Sequence, residues 1–213
     1  MFTIEDLYWA GFLAADGCVD DDGRVRIYLH RKDVEHLEKF KAYTGKPHKI
    51  QTPESYPDRC AFEFTDRDMV KWLNDNFNIV PRKSLVYEFP TWMSVEDMSH
   101  FLRGYFDGDG CICESFSNRA SRTATLYATV TGSDPAIDFV YQFLLKTLAI
   151  TGPVQRRAKY TKTGNPYSTV KYSTKKSAAL LKYMYSNSTY STRLNRKYDL
   201  YYNIVVMDNR LTR

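Results

Sequence analysis

Two aspartates, Asp16 and Asp109, stand at matched positions in this chain, each followed by glycine and each closing an apolar run of the same shape. The first run is Trp9-Ala10-Gly11-Phe12-Leu13-Ala14-Ala15-Asp16-Gly17, and the second is Leu102-Arg103-Gly104-Tyr105-Phe106-Asp107-Gly108-Asp109-Gly110. Read as helices, both runs place the aspartate in the last turn, at the negative end of the macrodipole, where an anion is disfavoured. Small residues four apart, Gly11 with Ala15 and Gly104 with Gly108, let another backbone approach that face closely. If the two helices pack on each other, two carboxylates arrive side by side, and a cation must offset their repulsion. The terminal glycines are expected to supply left-handed caps. One Asp-Gly alone reads as an ordinary turn; two at matched positions define a candidate cation site.

Capping signals place the start of each helix. Thr3-Ile4-Glu5-Asp6 precedes the first run and Ser94-Val95-Glu96-Asp97 the second, each with the pattern of a capping box. After the first motif, Asp20-Asp21-Asp22-Gly23 reads as a hairpin turn. The strand that follows alternates strictly, with Arg24, Arg26, Tyr28 and His30 on one face and Val25, Ile27 and Leu29 on the other. A helix over residues 33–43, strands at 49–51 and 59–65, and a helix over 66–77 complete the half, which closes on Pro81-Arg82-Lys83-Ser84. The second half repeats the order: a strand over 123–131, a helix from Ser133-Asp134-Pro135 to Ala149, a hairpin of 154–161 and 167–173, and a helix over 175–185. Arg196-Lys197 falls where Arg82-Lys83 fell. The pattern is an α+β fold made by pseudo-twofold duplication of an αββαββα unit, with half-domains at residues 1–93 and 94–213. Two antiparallel sheets are expected to form a saddle, with the motif helices at the interface.

Composition limits the partners. Of 213 residues, 43% are hydrophobic and 15% aromatic, enough for a sizeable core. Apolar runs fall short of the roughly 18 residues a membrane span needs, and the N-terminus lacks the pattern of a signal peptide. An intracellular setting is expected, in a bacterial or phage cytoplasm or an organelle. Cys18, Cys60, Cys111 and Cys113 show no metal-binding or redox spacing and are expected to be reduced, mostly packed thiols. The net charge of +5 conceals an imbalance: residues 1–98 carry 13 Lys/Arg against 18 Asp/Glu, and residues 99–213 carry 17 against 7. A basic half rich in aromatics suits a polyanion.

The two nonapeptides, the doubled element order and the Arg-Lys near the end of each half resemble the LAGLIDADG homing endonucleases of the single-chain, two-motif type. The first copy departs from the family pattern at Ala14, where an acid is more usual, but keeps Asp16-Gly17. The resemblance spans essentially the whole chain. It implies a site-specific double-strand DNA endonuclease whose sheets lie in the major groove. It further implies cleavage across the minor groove with 3′ overhangs, on a long asymmetric target, by a monomer without an obligate protein partner. Asp16 and Asp109 correspond to the family's metal-binding acids, and Lys83 and Lys197 lie where a lysine supports the attacking water or the phosphate charge. Mg²⁺ is the implied cofactor, with Mn²⁺ as a substitute and Ca²⁺ binding without supporting cleavage. Mg²⁺ suits a pair of carboxylates because it fills its octahedron with waters and phosphate oxygens. Arg31 occupies the place of a polar, water-ordering residue, and Gly132 is its counterpart.

The polar strand faces supply the candidate DNA contacts. In the first half these are Arg24, Arg26, Tyr28, His30, Lys49, Gln51 and Arg59, with Arg31 beside them. In the second half they are Thr125, Tyr127, Thr129, Gln155, Arg157, Lys159, Thr169 and Lys171. Arg and Lys read guanine, Gln reads adenine, and Thr or Tyr meets a thymine methyl or a phosphate. Asp107, two residues before Asp109, is read as structural or capping rather than metal-binding. The alternative function on the same scaffold is a cleavage-silent nucleic-acid binder, either an intron RNA maturase or a DNA-binding regulator.

Overall fold

The computed structural model describes residues 1–116, 124–157 and 167–207. Its elements run α1 (Ile4–Ala15), β1 (Gly17–Val19), β2 (Arg24–His30), α2 (Val34–Thr44), β3 (Arg59–Thr65), α3 (Arg67–Phe77), α4 (Val95–Asp109), β4 (Gly110–Phe116), β5 (Ala124–Gly132), α5 (Asp134–Leu148), β6 (Val154–Arg157), β7 (Tyr167–Ser173), α6 (Lys175–Tyr185) and α7 (Asn195–Tyr201). The architecture is α+β with two antiparallel sheets, in the orders β1-β2-β3 and β4-β5-β7-β6. Residue 123 of the expected strand, residues 158–161 of the expected hairpin and the turn between its strands lie outside the described residues.

Local chemistry explains the helix starts. Thr3 accepts from the Asp6 N–H at 3.1 Å while Asp6 accepts from the Thr3 N–H at 2.9 Å, a reciprocal capping box. Ser94 accepts from the Asp97 N–H at 3.0 Å, and Ser133 caps α5 ahead of its Pro135. Gly45, at φ +64°, ends α2 in the left-handed conformation.

The first sheet is one strand short of the expectation. Residues 49–51 form only a single bridge, Gln51 to Ala61. Pro47 and Pro53 flank the segment, and neither can donate to a ladder. In the second sheet β6 and β7 pair fully over the corresponding stretch.

Helices α1 and α4 pack against each other at the centre of the molecule, and the glycines explain how. A Cβ added to Gly11 would lie 2.0 Å from the Phe101 carbonyl oxygen, and one added to Gly104 would lie 2.0 Å from that of Tyr8. Both obstacles are backbone, so neither can rotate away. Leu7, Trp9, Phe12 and Leu13 of α1 and Phe101, Leu102 and Phe106 of α4 are all buried, with Trp9 turned to His36, Phe40 and Tyr43 of α2. Val25, Ile27 and Leu29 of β2 and Leu126, Ala128 and Val130 of β5 line the inner sheet faces, as the alternation predicts. Their neighbours in sequence face outward.

Gly17 and Gly110 are not left-handed caps. Asp16 closes α1 in ordinary right-handed geometry, and Gly110 is extended at φ −93° and ψ 165°. Glycine is required there for space instead. A Cβ on Gly17 would fall 2.7 Å from the Leu13 Cα, and one on Gly110 would fall 2.5 Å from the Phe106 carbonyl oxygen. The cysteines also differ from expectation: all four are free, but only Cys60 is buried, while Cys18, Cys111 and Cys113 sit on exposed strand faces. Among the described residues no helix is long and apolar enough to cross a membrane.

Candidate active site and nucleic-acid interface

The seam between α1 and α4 brings the two motif ends together. A Cβ on Gly108 would lie 2.5 Å from the Ala15 Cβ and 3.5 Å from the Asp16 Cβ. Asp16 and Asp109 therefore sit side by side where the helices run out into β1 and β4. Both are exposed by surface area, yet protein surrounds each carboxylate closely on its other sides. The open side decides access for a hydrated cation. Crowding shows in the proton affinities. The Asp109 carboxyl is pushed up to about 7, by desolvation first and by the Asp16 charge second, against the pull of Lys83 and Lys197. Asp16 is also raised by desolvation, with Lys197 and Lys83 opposing.

Two carboxylates held together at a cost and open to water fit a hard divalent cation, which takes one or two carboxylates and keeps the rest of its shell as water. Among the described residues no three His, Cys, Asp or Glu side chains gather into a metal-holding group. The pair would thus share the cation with solvent and substrate oxygens rather than enclose it.

A stability prediction follows from the Asp109 shift. Its folded pKa lies above the usual value near 3.9, so the folded state holds the proton more tightly than the unfolded chain. This group's contribution is therefore lost as pH rises from about 4 towards about 7. In chelator-treated protein at pH 8, Asp109→Asn should be more stable than wild type, by about 1 kcal/mol once solvent screening is allowed for. The difference should shrink on acidification towards pH 4, and thermal melts across pH measure it. A wild type more stable than the variant at pH 8 contradicts the repulsion.

Both sequence-predicted lysines arrive at the acid pair, and both are buried, Lys83 at 4% and Lys197 at 3% exposure. Their hydrogen bonding differs. Lys83, in a short 3₁₀ turn, donates one bond, 2.5 Å to the Gly17 carbonyl. Lys197, in the first turn of α7, donates to the carbonyls of Phe106 at 2.7 Å, Asp107 at 2.8 Å and Gly110 at 2.6 Å. The Phe106 and Asp107 carbonyls belong to the last turn of α4, where a cation is favoured by the helix dipole. An ammonium has three donors, so Lys197 is saturated while Lys83 keeps two. Burial lowers both lysine pKa values, and the neighbouring carboxylates resist this.

Two buried polar residues of α4, Asp107 and Arg103, brace the segment that leads into α7 and Lys197. Asp107, 1% exposed, accepts from the Tyr8 hydroxyl at 2.7 Å, the Tyr185 hydroxyl at 2.5 Å and the Leu194 N–H at 2.7 Å. Arg103, fully buried, donates to the Thr192 carbonyl at 2.6 Å and the Met184 carbonyl at 2.7 Å. Arg196 does not join the site. It forms a forked pair with Asp33 of the first half, at 2.9 and 3.0 Å. The legible signal was the polar pair Arg103 and Asp107, four apart on an otherwise apolar helix.

The outer sheet faces carry most of the proposed contacts. Arg24, Arg26, Tyr28 and His30 share the exposed side of β2, with Arg59 opposite His30 on β3. Lys49, Gln51 and Arg31 are exposed beside them. Some of this charge is already engaged. Glu63, opposite Arg26, pairs with it and lies 3.6 Å from Arg24, which is also 3.5 Å from Asp20. His30 turns its Nδ1 to the Lys32 N–H at 3.1 Å. In the second sheet Thr125, Tyr127 and Thr129 alternate on the outer side of β5, and Thr169 and Lys171 do so on β7. Lys171 stands opposite Thr129, with its ammonium 3.6 Å from the Tyr127 ring centre. Gln155 is exposed on β6, opposite Thr169. The side chain of Arg157 and the whole of Lys159 lie outside the described residues.

Two helices packed at glycines, each ending in an acid and each running into an antiparallel sheet, define the two-half LAGLIDADG architecture. Residues 96–200 match the family model of the LAGLIDADG-like domain. The chain carries that domain across its second half and has the LAGLIDADG endonuclease fold over its whole length, as the doubled nonapeptide implied. Among solved structures it is similar to the I-LtrWI LAGLIDADG homing endonuclease bound to target DNA, at 13% identity and a TM-score of 0.61, covering 98% of this chain and 92% of that one. It is similar also to I-GzeII in complex with its DNA target, at 10% identity and 0.61, covering 98% and 91%. A third likeness is to I-SmaMI bound to cleaved DNA, at 12% identity and 0.62, covering 99% and 91%. No match was found among curated protein sequences.

Proposed function

We propose that this chain is a site-specific double-strand DNA endonuclease, working as a monomer of two half-domains, 1–93 and 94–213, on a long asymmetric target. The observation that carries the reading is the acid pair Asp16 and Asp109, held side by side at the centre of the molecule. Two lysines flank the pair, and two polar sheet faces carry the candidate contacts. Mg²⁺ is the cofactor of choice, with Mn²⁺ able to substitute and Ca²⁺ supporting binding alone. When bound, such an ion lowers the pKa of water and neutralises charge on the phosphoryl oxygens. The chain's own share is to hold one carboxylate from each half near the two scissile phosphates and to place ammonium charge behind them. Cleavage across the minor groove, leaving 3′ overhangs, fits a pair of acids set close together between two spread sheets.

The direct test is incubation of the protein with a randomised plasmid library, with and without Mg²⁺. Linear product from a defined subset of sites, dependent on the ion, supports the reading. Tight DNA binding with no strand broken sinks it and favours a regulator, whereas tight binding to intron RNA favours a maturase.

The basic second half should dominate electrostatic affinity. Lys171→Ala is expected to weaken binding and to lower the slope of log K against log salt by about 1, the loss of one phosphate contact. Titrations at several salt concentrations measure this, and an unchanged slope removes β7 from the footprint.

A further inference from the structure

Asp107 is the one motif residue that the acid pair leaves without a role, and its surroundings supply one. Its carboxylate is buried, with three donors arriving from three elements: Tyr8 on α1, Tyr185 on α6, and the Leu194 N–H at the head of α7. Its own carbonyl is one of the three that hold Lys197. The side chain thus fixes where α7 begins, and three residues later α7 delivers the ammonium that ties Phe106, Asp107 and Gly110 around Asp109. Side chain and main chain of one residue close a loop between the end of α4 and the start of α7.

Among the described residues the first half has no such loop. Ala14 stands at the matched position, and Lys83 reaches the motif end through a single bond to the Gly17 carbonyl. The two acids are chemically alike, but their supports are not. Burying a carboxylate is costly unless it is well bonded, and Asp107 makes no direct ion pair among the described contacts. Its three donors are therefore what keeps it in place. The arrangement is worth that cost only if the position of Lys197 matters.

We propose that Asp107 is a positioning residue: through the Leu194 N–H it sets Lys197 against the end of α4, and so ties down the main chain that carries Asp109. The inference rests on the endonuclease reading for its consequence in cleavage, and on hydrogen bonding alone for its geometry. A misplacement near 1 Å at a reacting centre can cost about 10²-fold in rate. Asp107→Asn removes the charge from this acceptor and, with its amide nitrogen turned to Tyr185, reverses that bond, since a hydroxyl both donates and accepts, so the hold on the Leu194 N–H weakens. With one acid nearer each scissile phosphate, loss of position at Asp109 should slow one strand more than the other.

The experiment uses the full chain and a duplex that the wild type cuts, with the two strands carrying different end labels. Asp107→Asn should slow one strand by roughly 10- to 100-fold, leave the other within a few-fold, and accumulate nicked product with DNA affinity unchanged. Tyr185→Phe removes one donor while keeping the carboxylate, and should show the same strand bias more weakly if the asparagine variant folds poorly. A second readout is the ¹H–¹⁵N ammonium signal of Lys197, assigned by its disappearance in Lys197→Arg. Three acceptors should hold it in slow exchange in the wild type, and Asp107→Asn should broaden or abolish it. Equal slowing of both strands, or an ammonium signal that survives Asp107→Asn, overturns the proposal. If the wild type cuts no DNA at all, the endonuclease reading fails on that count, and the ammonium signal still decides the role of Asp107.

Discussion

Asp16→Asn and Asp109→Asn are each expected to reduce double-strand cleavage by at least about 10²- to 10³-fold, the scale of losing one preorganised electrostatic group. Asparagine keeps the size and one acceptor oxygen but loses the charge that a hard cation requires. DNA binding should persist and can tighten, because a negative charge facing phosphates is removed. The two variants should behave as equals at the chemical step, since both acids stand at the same seam between α1 and α4. Each should also relieve part of the cost of burying the pair, because desolvation raises both carboxyls. Supercoiled plasmid with a cleavable site measures the rate, and a gel shift in Ca²⁺ measures affinity. If either variant cuts both strands at the wild-type rate, that acid is not a metal ligand.

Gly11→Ala and Gly104→Ala should give the largest losses of stability of any single methyl added to this chain's motif helices. Helix propensity alone argues the opposite, since alanine is favoured over glycine in a helix interior by about 1 kcal/mol. Packing decides the sign. In each case the added Cβ would lie 2.0 Å from a backbone carbonyl oxygen of the other helix. Relief requires the helices to separate along the whole seam, which pulls Tyr8 and Phe12 of α1 away from Phe101 and Tyr105 of α4. Overpacking costs about 1–3 kcal/mol, occasionally more, and a carbonyl that cannot rotate places these at the upper end. A drop in melting temperature of roughly 10 °C follows for a chain of this length. Cleavage should fail with stability, because moving the helices apart separates Asp16 from Asp109. A variant as stable as wild type would mean that α1 and α4 do not approach as described.

The two predictions depend on different kinds of information. The first was legible from local pattern. Small residues four apart, Asp-Gly at both helix ends and capping boxes ahead of both runs operate within one or two helical turns, so a linear reading recovers them. The alternation of β2 and β5 was equally legible, because burial on one face imposes a period of two. The charge balance between the halves lies likewise in composition.

What the sequence left open was set by contacts between residues far apart in the chain. The fourth strand of the first sheet shrank to the Gln51–Ala61 bridge because pairing is a property of two segments, and prolines on either side of one segment prevented it. Gly17 and Gly110 looked like left-handed caps, but the nearest atoms of Leu13 and Phe106 show that they are needed for close approach in ordinary backbone conformations. Glu63 partly occupies Arg24 and Arg26, a pairing fixed by strand register rather than by sequence distance. Above all, two aspartates and two lysines in two matched sets are legible along the chain. That the sets are supported unequally is a matter of long-range contacts. Asp107 gathers donors 99, 78 and 87 residues away to lock one lysine, and Ala14 leaves the other with a single bond. A buried carboxylate takes its meaning from the donors the fold brings to it, and those have no local signature.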